Sequence, residues 1–242
     1  MGNIFSIIFY QPIFNLLIWL YNVLGQNVAL SILGLTIIIK LILYPFSRQS
    51  IKAQKALQDI QPKINELKEK YKDDNQAMTR EMMALYKQEK VNPFSSCLPM
   101  LVQLPFLYAV FRVFRDGLNS EGFNLLYPFV SNPGHIDPFI LGYDLSHPLW
   151  VIGLLAGLAQ FWATKMLMKT KQNALVAQGK PDATAMMNKQ MLYFMPGLTV
   201  IFGLSLPGGL MLYWLANTLL QILQQYIMFG KKASNNSNDN NK

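Results

Sequence analysis

The sequence has little charge and almost no cysteine. Only 14% of its 242 residues are charged, whereas 52% are hydrophobic, and soluble domains ordinarily carry charge on about a quarter of their residues. Four long stretches contain no charged residue at all: 1–39, 91–111, 145–164 and 190–230. Uncharged apolar runs of about 20 residues have the length of a helix that crosses a bilayer. This composition excludes a soluble globular enzyme and a largely disordered chain.

The sequence also lacks the residues that several kinds of site require. The single cysteine, Cys97, excludes an intrachain disulfide and a cysteine-rich metal site. Because the uncharged runs hold no Asp or Glu, a proton relay built on carboxylates inside the bilayer is not expected. No phosphate-binding glycine loop of the Walker type is present. We therefore expect no metal and no cofactor.

Five membrane-spanning helices fit the uncharged runs, so the sequence predicts an all-α polytopic membrane protein. The predicted spans are roughly 28–46, 96–114, 148–167, 191–206 and 210–229. The last two share one uncharged run, which Pro207-Gly208-Gly209 divides. Such a triplet is typical of a tight turn between two helices.

The distribution of basic residues indicates how the spans are oriented. Segment 47–95 contains ten Lys and Arg residues, 115–147 contains one and 1–27 contains none. Basic residues also gather in 168–190 and in 231–242, and positive charge marks the cytoplasmic side of a membrane protein. Five spans place these basic segments on one side, so we expect a cytoplasmic C-terminus. The net charge of +8 is then a topology signal and a means of contacting anionic lipid, and we expect no DNA partner.

Residues 1–27 are predicted to form an amphipathic helix at the outer face of the membrane. Gln11, Asn15, Asn22 and Gln26 are spaced so that they fall within about 60° of one another on a helix. A narrow polar stripe on an otherwise apolar helix suits a position in the membrane interface. A sixth span in this region is the alternative.

The basic segment between the first two spans is too polar to enter the bilayer and predicts a cytoplasmic helical hairpin. Its first helix covers roughly 48–71, where Pro62 is expected to kink or divide it. Its second helix covers roughly 75–90, with Asp74 or Asn75 as the N-cap. Mixed charge is typical of a solvated surface, but methionines on this hairpin would also suit contact with a partner or an emerging hydrophobic chain.

The predicted domain organisation follows from these segments. Residues 28–230 form a five-helix core, which includes the hairpin at 47–95 and a second cytoplasmic loop at 168–190. Residues 231–242 are basic and rich in Asn, a composition that favours a disordered cytoplasmic tail.

Polar residues inside the spans are the candidate functional residues. Lys40 lies in the first span, where a lysine costs about 2.5–3.5 kcal/mol on the insertion scale, and Thr36 precedes it by one turn. The other spans contribute polar side chains at helical spacing: Gln103, Gln160, Thr164, Tyr213, Trp214, Asn217 and Gln221. Taken singly, each is explained by hydrogen bonding between helices, and Lys40 by snorkelling to the inner headgroups. Taken together, they predict a water-filled recess open to the cytoplasm.

Several motifs resemble the YidC-type membrane protein insertases of the Oxa superfamily, over essentially residues 9–230. In chain order they are Gln11-Pro12-Ile13-Phe14, Lys40-Leu41-Ile42-Leu43-Tyr44-Pro45, Glu81-Met82-Met83-Ala84-Leu85-Tyr86-Lys87 with Val91-Asn92-Pro93, Cys97-Leu98-Pro99-Met100 with Gln103-Leu104-Pro105, and Leu206-Pro207-Gly208-Gly209-Leu210 with Tyr213-Trp214. The resemblance implies five helices around a hydrophilic groove, in a short form without the large external domain of many Gram-negative members. It also implies a non-enzymatic insertase and chaperone, which passes hydrophobic segments of new proteins from the cytoplasm into the bilayer.

The same resemblance implies partners and roles for individual residues. Bacterial members act in the cytoplasmic membrane on nascent membrane proteins, alone or beside the Sec translocon, and often receive chains from ribosomes. Lys40 occupies the position of the groove cation, and Thr36, Tyr213 and Trp214 occupy positions associated with substrate contact. The family usually has Arg at the position of Lys40. Because a desolvated ammonium can lose its proton and a guanidinium does not, we expect the hold of Lys40 on acidic substrate residues to be weaker or pH-sensitive.

Two other functions remain open from the sequence. An intramembrane serine protease would use Ser205 as nucleophile and would need a base within hydrogen-bond reach, for which His147 is the candidate at a similar depth. A serine beside a turn also has an ordinary packing explanation. A small-solute transporter is the other alternative, although five spans without an internal repeat argue against it.

Overall fold

A computed structural model of the chain describes residues 2–72, 74–92, 98–117, 120–168 and 183–239. Most of the predicted second cytoplasmic loop, the Pro93 and Cys97 positions of two family-like motifs and the end of the predicted tail lie outside the described residues. The described residues are mostly α-helical, in agreement with the predicted all-α fold.

The elements follow one another along the chain as a series of helices interrupted by one β-hairpin. The helices are α1 (Gly2–Phe5), α2 (Gln11–Val23), α3 (Val28–Ile42), α4 (Tyr44–Asp59), α5 (Gln61–Lys70), α6 (Asn75–Gln88), α7 (Leu98–Arg112), α8 (Trp150–Met168), α9 (Ala183–Gly203) and α10 (Gly208–Asp239). The remaining elements are π-helical turns at Ser6–Tyr10 and Val113–Gly117, a 3-10 helix at Ser120–Leu125, and the strands β1 (Phe139–Ile140) and β2 (Tyr143–Asp144).

Each of the five predicted spans contains a helix, namely α3, α7, α8, α9 and α10. The boundaries differ most in the last two. Helix α9 begins at Ala183, before the predicted start at 191, and α10 continues to Asp239, where the sequence predicts a disordered tail. Extending an existing helix adds one hydrogen bond for each residue fixed and requires no new nucleus. A helix that begins in an apolar segment can therefore continue into polar sequence.

The helices differ in how well they meet a simple length and hydropathy criterion for crossing a membrane. Among the described residues, the segment Ser6–Val23 meets it alone, and Val28–Ile42 with Tyr44–Leu57 meets it as a bent pair. Leu192–Gly203 in α9 is apolar over a shorter length. Ser6–Val23 lies in the N-terminal region that the sequence analysis interpreted as an interfacial helix, with a sixth span as the alternative.

One compact unit comprises Met1–Ile42, Gln103–Lys165 and Pro181–Lys242. Within it, α3 packs against both α2 and α10. Its largest fully buried side chains include Phe14, Leu17 and Ile18 from α2, Ile32 and Leu35 from α3, and Leu210, Met211 and Tyr213 from α10. In α2 and α3 these residues recur three or four positions apart, so each helix buries one apolar face.

Three of the four residues of the predicted polar stripe lie on α2, and their amides bond the loop that follows α7, whereas Gln26 lies beyond the end of the helix. Asn15 donates to the carbonyl oxygen of Leu125 at 2.9 Å and accepts from the backbone N–H of Tyr127 at 2.6 Å. Asn22 donates to the carbonyl oxygen of Ser131 at 2.7 Å. Asn15 is buried, so this part of the stripe faces the protein and holds the loop in place.

The turn before α10 is held by the chain that precedes α8. The backbone N–H of Gly208 donates to the carbonyl oxygen of His147 at 2.9 Å, and that of Gly209 donates to the carbonyl oxygen of Leu145 at 2.9 Å. A Cβ on Gly209 would lie 2.3 Å from the ring of Phe114. The predicted turn at Pro207-Gly208-Gly209 is confirmed, and close packing explains its second glycine.

The second compact unit comprises Leu43–Val102 and Met166–Lys180. Helix α4 ends at Asp59 and α5 begins at Gln61, with Pro62 in its first turn. Proline is tolerated there because backbone N–H groups in the first turn have no hydrogen-bond partner within the helix. Pro62 therefore divides the predicted helix. The carboxylate of Asp74 accepts from the backbone N–H groups of Gln76 and Ala77 at 3.0 and 2.9 Å, which confirms it as the N-cap of α6.

Helices α5 and α6 pack against each other as the predicted hairpin. An ion pair of 2.5 Å between Lys63 and Glu89 joins them on an exposed surface. No residue within α6 is buried, and Met83 is exposed. The methionines of α6 are therefore accessible.

Candidate functional site

Three polar residues near the start of α10 form hydrogen bonds with three different helices. Tyr213 and Asn217 are four positions apart and share a face, whereas Trp214 is offset from Tyr213 by about 100°. A single helix can therefore present these side chains to separate neighbours. Their partners lie on α7, α8 and α3.

Asn217 is the hydrogen-bond partner of Lys40, the lysine of the first predicted span. The Nζ atom of Lys40, in the last turn of α3, donates to Oδ1 of Asn217 at 3.2 Å. Both side chains are half-buried. Among the described residues no carboxylate pairs with Lys40. Its charge thus has a neutral hydrogen-bond partner and is not cancelled by an acid.

Gln160 joins α8 to both α9 and α10. Its Oε1 atom accepts from the Thr199 hydroxyl at 2.9 Å and from the indole N–H of Trp214 at 3.1 Å. A side-chain carbonyl oxygen has two lone pairs, so it can accept both bonds at once. This arrangement fixes the orientation of the half-buried Trp214 ring.

Gln103 joins α7 to α10. Its Nε2 atom donates to the hydroxyl of Tyr213, and Tyr213 is buried. A buried tyrosine hydroxyl ordinarily has a hydrogen-bond partner, and here the partner is a residue that the sequence placed on the polar face of the second span.

The other candidates are not joined to this network. Thr36 is buried, and its hydroxyl donates to the carbonyl oxygen of Ile32 in its own helix at 2.6 Å. Thr164 likewise donates to the backbone carbonyl of Gln160 at 2.9 Å. Gln221 lies one turn beyond Asn217 on α10 and is half-buried. Two threonines therefore satisfy their hydroxyls locally, as is common for threonine in helices.

The sequence reasoning missed Thr199, which adds α9 to the polar network. Thr199 is buried in the fourth predicted span and donates to Gln160. It is the only residue with a side-chain hydrogen-bonding group between Pro196 and Leu204. An isolated threonine in an apolar run was the available signal.

An apolar groove lies beside these polar residues, between α8 and α10. Its volume is about 510 Å³. The lining residues are Leu155, Leu158, Ala159, Trp162, Leu215, Leu219 and Ile222. Leu158 and Trp162 are also exposed, so the groove is open and suits an apolar chain.

The residues considered for a serine protease are not assembled as a catalytic pair. The Nδ1 atom of His147 lies 2.9 Å from Oδ2 of Asp144, and no hydrogen bond among the described residues links His147 to Ser205. Partial burial opposes ionisation of Asp144, but bonds from the Ser146 backbone N–H and from His147 outweigh it and lower the pKa of this carboxyl. The histidine therefore contributes to the loop, as a partner of Asp144.

Comparison with known families and proteins identifies relatives over most of the chain. The sequence model of the family described as "60Kd inner membrane protein" matches residues 19–235. The chain is 33% identical over 219 residues to a membrane protein insertase YidC from Haemophilus ducreyi, covering 90% of this chain and 36% of that protein. It is 35% identical over 207 residues to a membrane protein insertase YidC from Fusobacterium nucleatum, covering 86% of this chain and 88% of that protein.

A solved structure is similar in fold. It is described as an active YidC insertase with the first transmembrane domain resolved, and it matches with a TM-score of 0.61 and 29% identity. The match covers 92% of this chain and 46% of that one. The chain thus spans less than half the length of this protein and of the Haemophilus relative, but most of the Fusobacterium one. The extent of these matches establishes that the chain belongs to the YidC family of 60Kd inner membrane proteins.

Proposed function

We propose that this chain is a membrane protein insertase and chaperone, which moves hydrophobic segments of newly made proteins from the cytoplasm into the bilayer. The observation that carries the proposal is the set of hydrogen bonds that brings polar side chains of α3, α7, α8 and α9 to one end of α10. The proposed groove residues are Lys40, Thr36, Gln103, Gln160, Thr164, Tyr213, Trp214, Asn217 and Gln221. The names of the relatives support the same function.

The physical problem for a substrate is the polar tail beside its hydrophobic segment. The segment itself prefers lipid, but the tail carries charges and backbone groups that cost several kcal/mol each in hydrocarbon. A water-filled groove that reaches partway across the inner leaflet shortens the dry path that the tail must cross. The half-buried Lys40, Asn217, Gln160 and Gln103 would line such a groove.

Lys40 gives the groove its attraction for acidic residues. Its partner Asn217 carries no charge, so an incoming carboxylate can approach the ammonium without first displacing another acid. In a partly desolvated site an opposite charge is attracted more strongly than in bulk water.

The apolar groove between α8 and α10 is the proposed exit for the hydrophobic segment. Its lining is aliphatic and aromatic, and two of its lining side chains, Leu158 and Trp162, are exposed. A segment that slides along these two helices stays in contact with apolar surface while its tail occupies the polar side. No covalent step is needed, so the proposed activity is not enzymatic.

The proposed arrangement in the membrane follows the distribution of charge. We place α3, α7, α8, α9 and α10 as five spans in a bacterial cytoplasmic membrane, with the C-terminus inside. Residues 1–27 lie at the outer face, the hairpin 47–95 and loop 168–190 lie in the cytoplasm, and 28–230 form the insertase core. The Sec translocon and the ribosome are further proposed partners, because the cytoplasmic hairpin presents accessible methionines and the tail is basic.

Site-specific photocrosslinking to a stalled nascent membrane protein tests the function. A photoreactive residue at position 214 is expected to crosslink to the hydrophobic segment of the client. The matched control is position 37, because Ile37 is an exposed residue of α3 that takes no part in the polar network. Equal crosslinking from both positions would show that clients contact the protein through lipid and not through the proposed groove.

A further inference from the structure

The β-hairpin Phe139–Asp144 carries an exposed apolar tip. Tyr143 and Phe139 are exposed, and Leu141 at the turn is 94% exposed. From Phe139 to Tyr143 the hairpin contains no charged residue. An exposed cluster of large apolar side chains is characteristic of a surface that contacts lipid or protein.

The backbone at the tip is unfavourable for the residue it holds. The two-residue turn consists of Leu141 with φ +48° and Gly142 with φ +85°. Tight hairpin turns of this kind favour Asn or Asp before Gly, because those residues tolerate the left-handed region. The chain instead places an exposed leucine there, and such a conformation at an exposed site indicates a functional requirement for the side chain.

Polar groups occupy the base of the hairpin and not its tip. Asp144 pairs with Phe139 in the register of the two strands and accepts from the Ser146 backbone N–H at 2.8 Å. Asp137 accepts from the backbone N–H of Phe139 at 3.0 Å. The hairpin is therefore polar at its base and apolar at its tip, which is the distribution expected of an element that enters an interface from the water side.

The base is fixed to the ends of two helices. The backbone N–H of Asp137 donates to the hydroxyl of Tyr21, near the end of α2, at 3.0 Å. Leu145 donates through its backbone N–H to Pro138 at 3.0 Å and accepts from Gly209, at the start of α10, at 2.9 Å. These bonds hold the base of the hairpin beside the end of α2 and the start of α10.

Exposed aromatic and aliphatic residues also lie on helices close to the base of the hairpin, near Tyr21 on α2 and a few residues after Leu145 in the chain. Trp150 begins α8 and is exposed, and Trp19 and Val23 are exposed on α2. Tryptophan and tyrosine gather where membrane proteins cross the headgroup region. Because the tip of the hairpin has the same aromatic and aliphatic composition, lipid is the occupant that it fits.

We propose that the hairpin Phe139–Asp144 is a membrane anchor, and that Phe139, Leu141 and Tyr143 enter the leaflet beside the outer ends of α2 and α8. The anchor rests on the proposed arrangement of the spans but not on insertase activity. The loop between α7 and α8 is attached to the protein at α2 and at the start of α10. The anchor would attach it at a third position, to the membrane itself.

Spin-label accessibility in reconstituted vesicles tests this anchor. In a Cys97→Ser background, the variant Leu141→Cys is spin-labelled and placed in vesicles of phosphatidylethanolamine and phosphatidylglycerol without any other protein. Collision with oxygen, which partitions into lipid, is compared with collision with a water-soluble nickel chelate. The control is His135→Cys, an exposed polar position in the same loop. The ratio of oxygen to nickel collisions is expected to be several-fold higher at position 141.

Equal nickel accessibility at both positions would place the hairpin in water and overturn the proposal. Shielding of position 141 in native membranes but not in pure lipid vesicles would assign the tip to a protein partner, which also overturns it. A membrane-impermeant thiol reagent applied to cells tests separately whether His135→Cys is outside. If the chain proved not to be an insertase, the accessibility of position 141 would be unaffected, because the vesicles contain no client protein.

A second variant separates anchoring from folding of the hairpin. Leu141→Asn places a residue that tolerates the left-handed region at the turn, so the thermal midpoint in detergent is expected to stay the same or rise. In vesicles, a spin label at Tyr143→Cys is expected to become more accessible to nickel when Leu141→Asn is added. No change in accessibility at position 143 would mean that Leu141 does not hold the tip in lipid.

Discussion

The ammonium of Lys40 donates a 3.2 Å hydrogen bond to the amide oxygen of Asn217, and this bond joins α3 to α10. The two helices also pack against each other through buried apolar residues. A neutral partner orients the lysine without cancelling its charge. The pair therefore combines a fixed position with a free positive charge, which is the property that the proposed groove requires.

Substitution of Lys40 tests the role of this charge. Lys40→Arg is expected to preserve insertion, whereas Lys40→Leu should lower the insertion rate of clients with acidic tails by roughly tenfold, the equivalent of about 1.4 kcal/mol of lost attraction. Lys40→Glu should lower it further by repulsion. Rates are measured with reconstituted vesicles and clients that differ only in the charge of the tail. Wild-type rates for Lys40→Leu with acidic clients would contradict the electrostatic part of the mechanism.

Substitution of Asn217 tests whether the charge of Lys40 must remain unpaired by an acid, separately from whether Lys40 must be held in position. Asn217→Asp puts a carboxylate where the amide oxygen now lies 3.2 Å from the ammonium, so an ion pair forms and competes with client acids. We expect insertion of acidic clients to fall while the thermal midpoint is maintained. Asn217→Ser, a smaller neutral hydrogen-bonding residue, serves as the control and should have the milder effect on insertion. A greater loss with serine than with aspartate would show that the shape of Asn217 matters more than its neutrality.

Removal of the shared acceptor at Gln160 should loosen three helices at once. Gln160→Leu leaves the Thr199 hydroxyl without one of its acceptors and the Trp214 indole N–H without its only identified one. Hydrogen bonds between membrane helices average about 0.6 kcal/mol, so the expected loss of unfolding free energy is about 1 kcal/mol. Unfolding in mixed micelles measures this loss. Thr199→Val removes only one of the two bonds between helices, together with a bond inside α9, and should cost about half as much; equal losses would mean that only the α8–α9 bond contributes.

Close contact between two glycines makes α8 and α9 sensitive to a single methyl group. A Cβ on Gly153 would lie 2.6 Å from the Cα atom of Gly203, so Gly153→Ala must push the helices apart. Overpacking of this kind typically costs about 1–3 kcal/mol, which unfolding in mixed micelles would detect. Gly197→Ala is the matched control in α9, since a Cβ there meets nothing within 4 Å. Equal destabilisation by both variants would point to a general effect of substitution and not to the contact.

Acid should release the chain segment before α8. The lowered pKa of Asp144 means that its carboxylate contributes stability above its unfolded pKa of about 3.9, and that this contribution disappears as the pH falls through the folded-state pKa. Hydrogen exchange at the Ser146 amide is expected to quicken at such low pH by more than the change in intrinsic exchange. Asp144→Asn should remove this additional pH dependence. An unchanged pH profile in Asp144→Asn would show that another group is responsible.

Much of the helical organisation could be predicted because the bilayer leaves a strong mark on composition. Long uncharged runs predicted the positions of α3, α7, α8, α9 and α10, and Asp74 indicated where α6 begins. Helical spacing also indicated which side of each helix is polar. It could not indicate the partner: Gln160 accepts a hydrogen bond from Thr199 on α9, a residue that the sequence analysis did not single out.

The parts that sequence reasoning missed depend on contacts between distant segments. The hairpin Phe139–Asp144 turns at Leu141-Gly142, where the usual turn signal of Asn-Gly is absent. The stripe on α2 suggested headgroups, but the loop after α7 supplies carbonyl oxygens that satisfy Asn15 and Asn22. A pattern of polar residues specifies a need for hydrogen bonds, and several surfaces can meet that need.

The two hydrogen bonds that Gln160 accepts have a consequence for how a client enters between the helices. Because Oε1 accepts from Thr199 and from Trp214 independently, an arriving hydroxyl or amide can replace one donor while the other remains in place. The bundle can then admit a guest by exchanging one contact at a time, so that α9 and α10 need not both let go of α8 in the same step.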